Sequence, residues 1–240
     1  MDELKQELVL ANHILFDRQV LDAFGHVSVR SARGSTFLMA RNMAPALVTI
    51  DDLIEFGLDG EPVQPSGHRP YLERFIHSEI YGSRPEVQAI VHSHSPSVVP
   101  FSVAKGSAFR AVSHMAGFLG AGVPIFDIRD KGGDGTDMLV TSPELGRHLA
   151  DVLAGHAMVL MRGHGSTVVG GSLRQAVFRA VYAEANARTH IQAASLGAIT
   201  FLSEAEALAA AASTEGQAGR AWDLWCKSAE ITHKSLMQMS

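Results

Sequence analysis

The segment "VQAIVHSHS", residues 87–95, constrains the fold more than any other part of the sequence. From Val87 to His92, apolar side chains occupy both sets of alternating positions. On a β-strand the two sets point to opposite faces of the sheet. The pattern therefore predicts a strand with much of both faces buried, which is typical of the interior of a layered fold.

Strand patterns and helix patterns alternate along the 240 residues. Apolar residues at helical spacing predict helices over 2–16 and over 70–82, with Pro70 as an opening residue. Further helices are expected, among them one from Ser142 and Pro143, a long one over 172–196 and an alanine-rich one from Ser203. Strands are expected at "FGHVSVRS", "TFLMA", "DLIEFG", "VPIFDI", "AMVLMR" and "STVVG".

This mixture favours a single layered α/β domain over residues 1–240. Residues 203–240 are expected to form a C-terminal helical extension, with a flexible connector at 213–220. A short strand is also expected after the turn at Asp59 and Gly60.

Composition excludes several classes of partner and setting. The net charge is -5 and lysine and arginine form no block, so neither nucleic acid nor an anionic membrane is the expected partner. No apolar run reaches roughly 18 residues, so no transmembrane helix is predicted. The single cysteine, Cys226, allows no intrachain disulfide, and the N-terminal residues do not read as a signal peptide. A cytoplasmic protein is therefore expected.

His92 and His94 form an H-x-H pair at the end of the apolar strand. Residues two apart on a strand share a face, so both imidazoles can reach one ion. Neutral imidazole is a common ligand of zinc and related divalent metals. The pair alone is a weak motif, because hydrogen-bonded or surface histidines give the same pattern.

Glu73 and His164 strengthen the metal hypothesis. Glu73 lies in the helical segment that precedes the strand, and His164 lies between two glycines in "MRGHGSTVVG", where another buried strand ends. Glycines on both sides allow a close approach of the backbone and leave the imidazole unobstructed. Three histidines and one carboxylate are a ligand set that a catalytic metal commonly uses.

The stretches "ERFIHSEIYGSRPEVQAIVHSHS" and "VLMRGHGSTVVG" resemble the class II aldolase/adducin family. Its members include fuculose-phosphate aldolase, ribulose-phosphate epimerase and related decarboxylases. The resemblance extends from "LVLANHILFDRQVLDAFGHVSVR" through the long helix after Ser172. It implies a three-layer α/β/α sandwich around a mainly antiparallel central sheet, and a homotetramer with sites between subunits.

The same resemblance assigns roles to the motif residues. It implies that His92, His94 and His164 are metal ligands and that Glu73 is a further ligand, a catalytic base or both. The adducin-like cytoskeletal members have lost the metal histidines. This chain keeps all three, which argues against a non-catalytic scaffold.

The chain departs from the sugar-phosphate enzymes at three phosphate-binding elements. His26 stands where that group has the Asn of a "GNxS" motif, and Arg41 and Asn42 stand where it has a "TPTG"-like turn. Tyr71 and Leu72 replace a Ser-Ser pair before Glu73. Arg41 can bind a carboxylate through two hydrogen bonds, and an aromatic ring can pack on a flat ligand. A compact, aromatic carboxylic acid is therefore the predicted substrate, with His26, Arg41, Asn42 and Tyr71 as its binding residues. For each of these residues taken singly, an ordinary structural role is the alternative to substrate binding.

Within the family, "GHVSVR", "PYLERFIH" and "HSHSPSVVPFSV" resemble decarboxylases of hydroxylated aromatic or pyridine dicarboxylates. The types with the greatest resemblance act on 3-hydroxy-2-methylpyridine-4,5-dicarboxylate or on dihydroxyphthalate. The expected activity is a metal-dependent carboxy-lyase of aromatic compound catabolism. An aldolase or epimerase acting on a sugar or sugar acid, and an adducin-like scaffold, remain alternatives.

Two details of the chemistry stay open at this stage. A site of three histidines and one carboxylate suits zinc, manganese or iron(II), and Mn²⁺ or Zn²⁺ is expected.

His114 occupies the position of a tyrosine proton donor in the sugar-phosphate members, so His114 and Glu73 are both candidates for the general acid. His77 and His148 are expected to be solvated on helix surfaces.

Overall fold

A computed structural model describes residues 2–32, 34–65 and 67–237. The seven strands are β1 His26–Arg30, β2 Thr36–Ala40, β3 Leu53–Gly57, β4 Ala89–Ser93, β5 Ile125–Phe126, β6 Met158–Met161 and β7 Gly165–Gly170. The α-helices are α1 Asp2–Asp17, α2 Arg74–Ser83, α3 Val99–Val103, α4 Arg129–Gly132, α5 Pro143–Leu153, α6 Leu173–Leu196, α7 Glu204–Thr214 and α8 Ala218–Met237. Four 3-10 helices lie at Pro45–Leu47, Ile50–Asp52, His114–Leu119 and Glu215–Gln217.

The strands form one mostly antiparallel sheet in the order β3-β2-β1-β4-β7-β6-β5. Only the short edge pair of β5 and β6 is parallel. Strand β4 lies in the middle, and all five of its residues are buried, as the apolar pattern of "VQAIV" predicts.

A hydrophobic core covers each face of the sheet. Helices α1, α6 and α8 pack on one face, where Leu15, Phe178 and Trp222 lie in a common core. Helices α2 and α5 pack on the other face, where Ile80 and Leu149 lie in a second core. The three-layer α/β/α sandwich around a mainly antiparallel sheet is therefore confirmed.

Serine caps fix the starts of three helices as the sequence predicts. The hydroxyls of Ser142, Ser172 and Ser203 accept hydrogen bonds from backbone N–H groups in the first turns of α5, α6 and α7. These bonds satisfy amides that the helix itself leaves without partners. Pro143 follows Ser142 as the first residue of α5.

Helix α2 begins later than predicted, at Arg74 rather than near Pro70. The preceding segment is held by the loop after β2. The N–H of Asn42 donates to the carbonyl of Arg69 at 2.8 Å, and the Tyr71 hydroxyl donates to the carbonyl of Met43 at 2.5 Å. These bonds hold residues 69–71 against the loop, so helical geometry starts only after them.

Three other local predictions need correction. The 213–220 connector is helical, since Arg179 and Gln175 of α6 hold Glu215 through hydrogen bonds of 2.5–3.0 Å. The strand expected after Gly60 is a single bridge between Phe56 and Pro62. In "VPIFDI" only two residues pair with β6. Within the described residues, no helix has the length and hydropathy needed to cross a membrane.

Candidate metal centre

Four side chains converge on one point at the ends of the neighbouring strands β4 and β7, namely His92, His94, His164 and Glu73. One ligand atom of each lies within 4.8 Å of the corresponding atoms of the other three. Nε2 of His94 lies 3.2 Å from Nε2 of His92 and 3.1 Å from Nε2 of His164. Oε2 of Glu73 lies 3.7 Å from Nε2 of His92 and 3.6 Å from Nε2 of His164.

Two neighbouring strands supply the three histidines. His92 lies near the end of β4 and His94 directly follows that strand. His164 lies in the turn between β6 and β7, and the pairing of His92 with Thr167 aligns β4 with β7. The antiparallel register therefore brings residues about 70 positions apart in sequence to the same end of these two strands.

Glycines flanking His164 allow this close approach. Gly163 has φ of +64°, a conformation that L side chains rarely adopt. A Cβ on Gly165 would collide with the carbonyl oxygen of Ser93, next to His94. The "GHG" turn thus needs glycine on both sides for different reasons, one conformational and one steric.

Glu73 is oriented by a backbone amide. It directly precedes α2, and its Oε1 accepts a hydrogen bond of 2.9 Å from the N–H of Val140, which leaves Oε2 facing the histidines. Burial raises the pKa of Glu73 to about 7. Burial also lowers the pKa values of His92, His94 and His164, so these imidazoles are neutral at pH 7, as metal ligation requires.

The spacing of the four donor atoms fits a divalent cation. Ligand atoms about 2.1 Å from a shared ion, at tetrahedral angles, lie roughly 3.4 Å apart. Four of the six donor separations run from 3.1 to 3.7 Å, and all six are within 4.8 Å. Three neutral imidazoles and one carboxylate therefore match both the chemistry and the spacing of a metal centre.

A cavity of about 540 Å³ opens beside the cluster. His94 contributes to its lining, together with the end of α1 and the loop that follows it, including Asp17, Leu21 and Asp22. This volume is within the range of cavities that bind small ligands.

Two of the predicted substrate residues lie next to the cluster. The ring of His26 lies 4.9 Å from that of His92 and 4.7 Å from that of Tyr71, measured between centroids. His26 and Tyr71 are both buried. The Tyr71 hydroxyl already donates to Met43, so it is the ring of Tyr71 that remains available for packing.

Arg41 and Asn42 lie in the loop after β2. Nε of Arg41 pairs with the carboxylate of Asp52 at 2.7 Å, a partner that the sequence did not predict. Asp52 in turn accepts hydrogen bonds from the N–H and hydroxyl of Thr49. Asn42 is exposed. Their roles in substrate binding stay predictions.

His114 is not brought to the cluster within its own chain. It is exposed at the start of a 3-10 helix and lines a different cavity of about 610 Å³, with Tyr182, Arg220 and Trp225. The proposed role of His114 as proton donor therefore requires a contribution to the site of another copy of the chain.

The expectation that His77 is solvated is wrong. His77 is fully buried, because α2 packs that face against the sheet. Its Nε2 lies 2.7 Å from Nδ1 of His26, and its Nδ1 lies 2.6 Å from Oγ of Ser28. Ser28 also contacts the Tyr81 hydroxyl at 2.8 Å. His148 is half-buried and lies 3.8 Å from Asp130, so it is not simply solvated either.

The signal for this buried chain was present in the sequence. Glu73, His77 and Tyr81 are spaced by four, which places them on one face of a helix. His26 and Ser28 are spaced by two, which places them on one face of a strand. The spacing did not predict that this helix face packs against this strand face.

Comparisons with known proteins agree with the fold. Residues 6–191 match the family described as "Class II Aldolase and Adducin N-terminal domain". The structure is similar to an L-fuculose 1-phosphate aldolase from Glaciozyma antarctica, with a TM-score of 0.77, 23% identity and coverage of 97% of this chain and 90% of that one. The chain belongs to the class II aldolase/adducin family.

Several relatives of similar sequence are named decarboxylases. The chain is 41% identical over 242 residues to decarboxylase tropJ of Talaromyces stipitatus, covering 91% of each protein. It is 31% identical to a 3,4-dihydroxyphthalate decarboxylase of Terrabacter, covering 80% of this chain and 82% of the relative. A 3,4-dihydroxyphthalate decarboxylase of Arthrobacter keyseri is 28% identical, with 80% and 79% covered.

Proposed function

We propose that this protein is a divalent-metal-dependent, non-oxidative decarboxylase of a hydroxylated aromatic or pyridine dicarboxylate. Substrates of the dihydroxyphthalate and 3-hydroxy-2-methylpyridine-4,5-dicarboxylate types are the first candidates. The observation that carries the proposal is the convergence of three imidazole nitrogens and one carboxylate oxygen within 4.8 Å. The names of the decarboxylase relatives support the reaction class and the aromatic substrate.

Decarboxylation needs a place for an electron pair. The bond between the ring carbon and the leaving carboxylate breaks, CO2 departs, and the pair delocalises through the ring onto a neighbouring oxygen. A proton then adds to the same ring carbon. A divalent cation, when bound, supplies positive charge beside that oxygen and so lowers the energy of the transition state.

The chain's own residues have distinct tasks in this proposal. His92, His94, His164 and the Oε2 of Glu73 hold the metal, for which Mn²⁺ and Zn²⁺ are the candidates. Val140 fixes the Glu73 carboxylate by holding its other oxygen. His26 and the ring of Tyr71 form a wall of the site beside His92, and a flat, oxygen-bearing ring can pack against it. Arg41 and Asn42 are the more distant candidates for a substrate carboxylate.

Two groups compete to deliver the proton to the ring carbon. Glu73 lies in the site, but holding a metal removes its proton. His114 lies elsewhere on its own chain. We therefore infer a homotetramer in which His114 of one copy serves the site of another. Imidazole is the side chain that most often transfers a proton in enzymes.

CO2 release from a panel of hydroxylated benzene and pyridine dicarboxylates tests the proposal. Protein stripped with a chelator is reloaded with Mn²⁺ or Zn²⁺ and compared with the stripped protein. We expect metal-dependent release from one compound class, lost in His92→Ala. His156→Ala is the matched control, because His156 is exposed and its hydrogen bonds, with Leu153 and Arg84, use only its backbone atoms.

The contrary outcomes are equally definite. Aldehyde formation from sugar acids, with no CO2 from any dicarboxylate, would move the protein to the aldolases. Equal release by stripped and reloaded protein would remove the metal from the mechanism.

A further inference from the structure

A chain of buried polar side chains runs behind the metal centre. It links Tyr81 to Ser28, Ser28 to His77, and His77 to His26, through contacts of 2.8, 2.6 and 2.7 Å. All four side chains are buried, with at most 3% of any residue exposed. His26 is the end that meets the site, since its ring contacts that of His92.

Both imidazoles of this chain are neutral. No carboxylate contacts either ring among the residues that the structure describes, and both side chains are buried. Burial accordingly lowers the pKa of His77 to about 3. Each neutral ring carries one N–H, so each has one donor nitrogen and one acceptor nitrogen.

The hydroxyl of Tyr81 fixes the direction of the hydrogen bonds. Its one hydrogen-bond partner in the described part of the chain is Oγ of Ser28. In one direction, the Tyr81 hydroxyl donates to Oγ of Ser28. The Ser28 hydroxyl then donates to Nδ1 of His77, and Nε2–H of His77 donates to Nδ1 of His26. Every donor in the chain then has an acceptor except Nε2–H of His26. That nitrogen is at the site end of the chain and is not among the fully buried atoms that lack a partner, so a ligand or water can accept from it there.

The opposite direction always leaves a buried donor unsatisfied. If Nδ1–H of His26 donates to His77, then Nδ1–H of His77 donates to Ser28. The Ser28 hydroxyl can then donate to Tyr81, which leaves the Tyr81 O–H without an acceptor. If Tyr81 donates to Ser28 instead, the Ser28 O–H is left without one. A buried donor with no acceptor incurs its full desolvation cost.

We propose that Tyr81, Ser28 and His77 are positioning residues that hold His26 as its Nε2–H tautomer. His26 then offers a hydrogen-bond donor, never an acceptor, to the site beside His92. No partner for this Nε2 is found in the described residues. A donor at this place selects an anionic oxygen of the ligand, carboxylate or phenolate. The tautomer stands on the geometry alone, while this choice of ligand oxygen rests on the proposed function.

Magic-angle-spinning NMR of protein labelled with ¹⁵N-histidine reads the tautomer directly in the Zn²⁺-loaded wild type. The signals of His26 and His77 are assigned by their loss in His26→Asn and His77→Gln. Protonated and unprotonated ring nitrogens have well-separated shifts. We expect Nε2 protonated and Nδ1 unprotonated in both rings. A protonated Nδ1 in His26 overturns the inference.

Variants of Ser28 provide the kinetic test. Ser28→Ala removes the link between Tyr81 and His77, so the preference for the Nε2–H tautomer weakens. We expect KM for the decarboxylation substrate to rise about 10-fold, the size of one lost hydrogen bond to a charged group, with kcat and metal content unchanged. Ser28→Thr keeps the hydroxyl on a strand that accepts a β-branched residue, and should restore KM.

The two proposals fail separately. If Ser28→Ala leaves both KM and the His26 tautomer unchanged, the positioning role is wrong and the decarboxylase stands. If the tautomer is as expected but no dicarboxylate releases CO2, the proposed function is wrong and the positioning role stands. Metal lost from Ser28→Ala but retained in Ser28→Thr would mean that the chain supports the ligands rather than His26, which also overturns the inference.

Discussion

At the residue scale, Glu73 serves metal binding at the expense of stability. Burial raises its pKa to about 7 in the metal-free protein, whereas an unfolded chain ionises it near the ordinary value of 4.5. Between these values the folded state binds more protons than the unfolded state. The contribution of Glu73 to stability is therefore lost as the pH rises from 4.5 to 7.

Glu73→Gln should separate these two roles. The amide keeps the shape and carries no charge, so the metal-free variant should have a larger free energy of unfolding than the wild type at pH 8. The difference should shrink as the pH falls and vanish below pH 4.5, where Glu73 is protonated in both the folded and the unfolded state. Urea denaturation in the presence of a chelator measures the free energy of unfolding of the variant and of the wild type. A variant less stable than the wild type at pH 8 would contradict the argument.

The same substitution should weaken metal binding, because a neutral amide replaces an anionic ligand. We expect the affinity for Zn²⁺ to fall by at least about 10-fold, the lower end of the losses seen even for supporting residues. Wild-type affinity should also decline below pH 7, since Glu73 must lose a proton to bind. Competition with a chromophoric chelator at pH 6 and pH 8 measures both effects.

The sequence predicted the four residues of the cluster, because their types and order are chemically distinctive. It could not predict the surroundings of His77 or the pairing of Arg41 with Asp52. Those contacts depend on how α2 and the 3-10 helix Ile50–Asp52 dock, and docking joins positions far apart in sequence. A polar residue on a helix face is ordinarily solvated, and only the tertiary fold shows that this face is buried.

At the scale of elements, the register of β4 against β7 determines whether the cluster forms. Gly165 permits that register, since a Cβ there would collide with the carbonyl of Ser93. Two strands must therefore separate locally when any side chain is introduced at this position. His94 directly follows Ser93 and moves with it.

Gly165→Ala should lower the free energy of unfolding by about 1–3 kcal/mol, the usual cost of overpacking a core. It should also reduce metal occupancy through displacement of His94. Gly155→Ala is the matched control, because nothing lies within 4 Å of a Cβ at Gly155. Equal stability and equal metal content in the two variants would show that the contact with Ser93 is unimportant.

The starts of helices were predicted best where residues at the start itself determine them. Serine caps and Pro143 give the starts of α5, α6 and α7 directly. The start of α2 and the helical state of residues 213–220 depend on partners elsewhere, namely the loop after β2 and Arg179 of α6. Local sequence contains no record of those partners.

At the scale of the whole molecule, the C-terminal helix α8 is attached to α1 by a pair of histidines. His13 and His233 are both buried, and their rings stack with centroids 3.9 Å apart. Burial, and then His233, lower the pKa of His13 to about 4. Unfolded His13 binds a proton near pH 6.5, so this contribution to stability is complete above pH 6.5 and is lost as the pH falls to 4.

Acid should therefore loosen the packing of α8. Both tryptophans of the chain, Trp222 and Trp225, lie on α8 and are buried. Their fluorescence emission should shift to longer wavelength in mild urea at pH 5 but not at pH 7.5. His13→Gln should reduce this dependence on pH. An unchanged pH dependence in the variant would exclude His13 as its source.

Assembly is the remaining prediction at this scale. If His114 serves the site of another copy, His114→Ala should lower turnover by about 100-fold, the usual contribution of general acid catalysis, with normal metal content. Mixing His114→Ala with inactive His92→Ala chains and reassembling them should restore part of the activity. No recovery in mixed assemblies of normal size would exclude the donation of His114 between chains.

The central claim is that one metal ion per chain, held by His92, His94, His164 and Glu73, is required for decarboxylation. Its most direct test is the rate of CO2 release as metal is titrated into stripped protein. The account predicts that the rate rises linearly and stops rising at one ion per chain, with no such rise in His92→Ala. Full activity in stripped protein, or activation that continues well past one ion per chain, would contradict it.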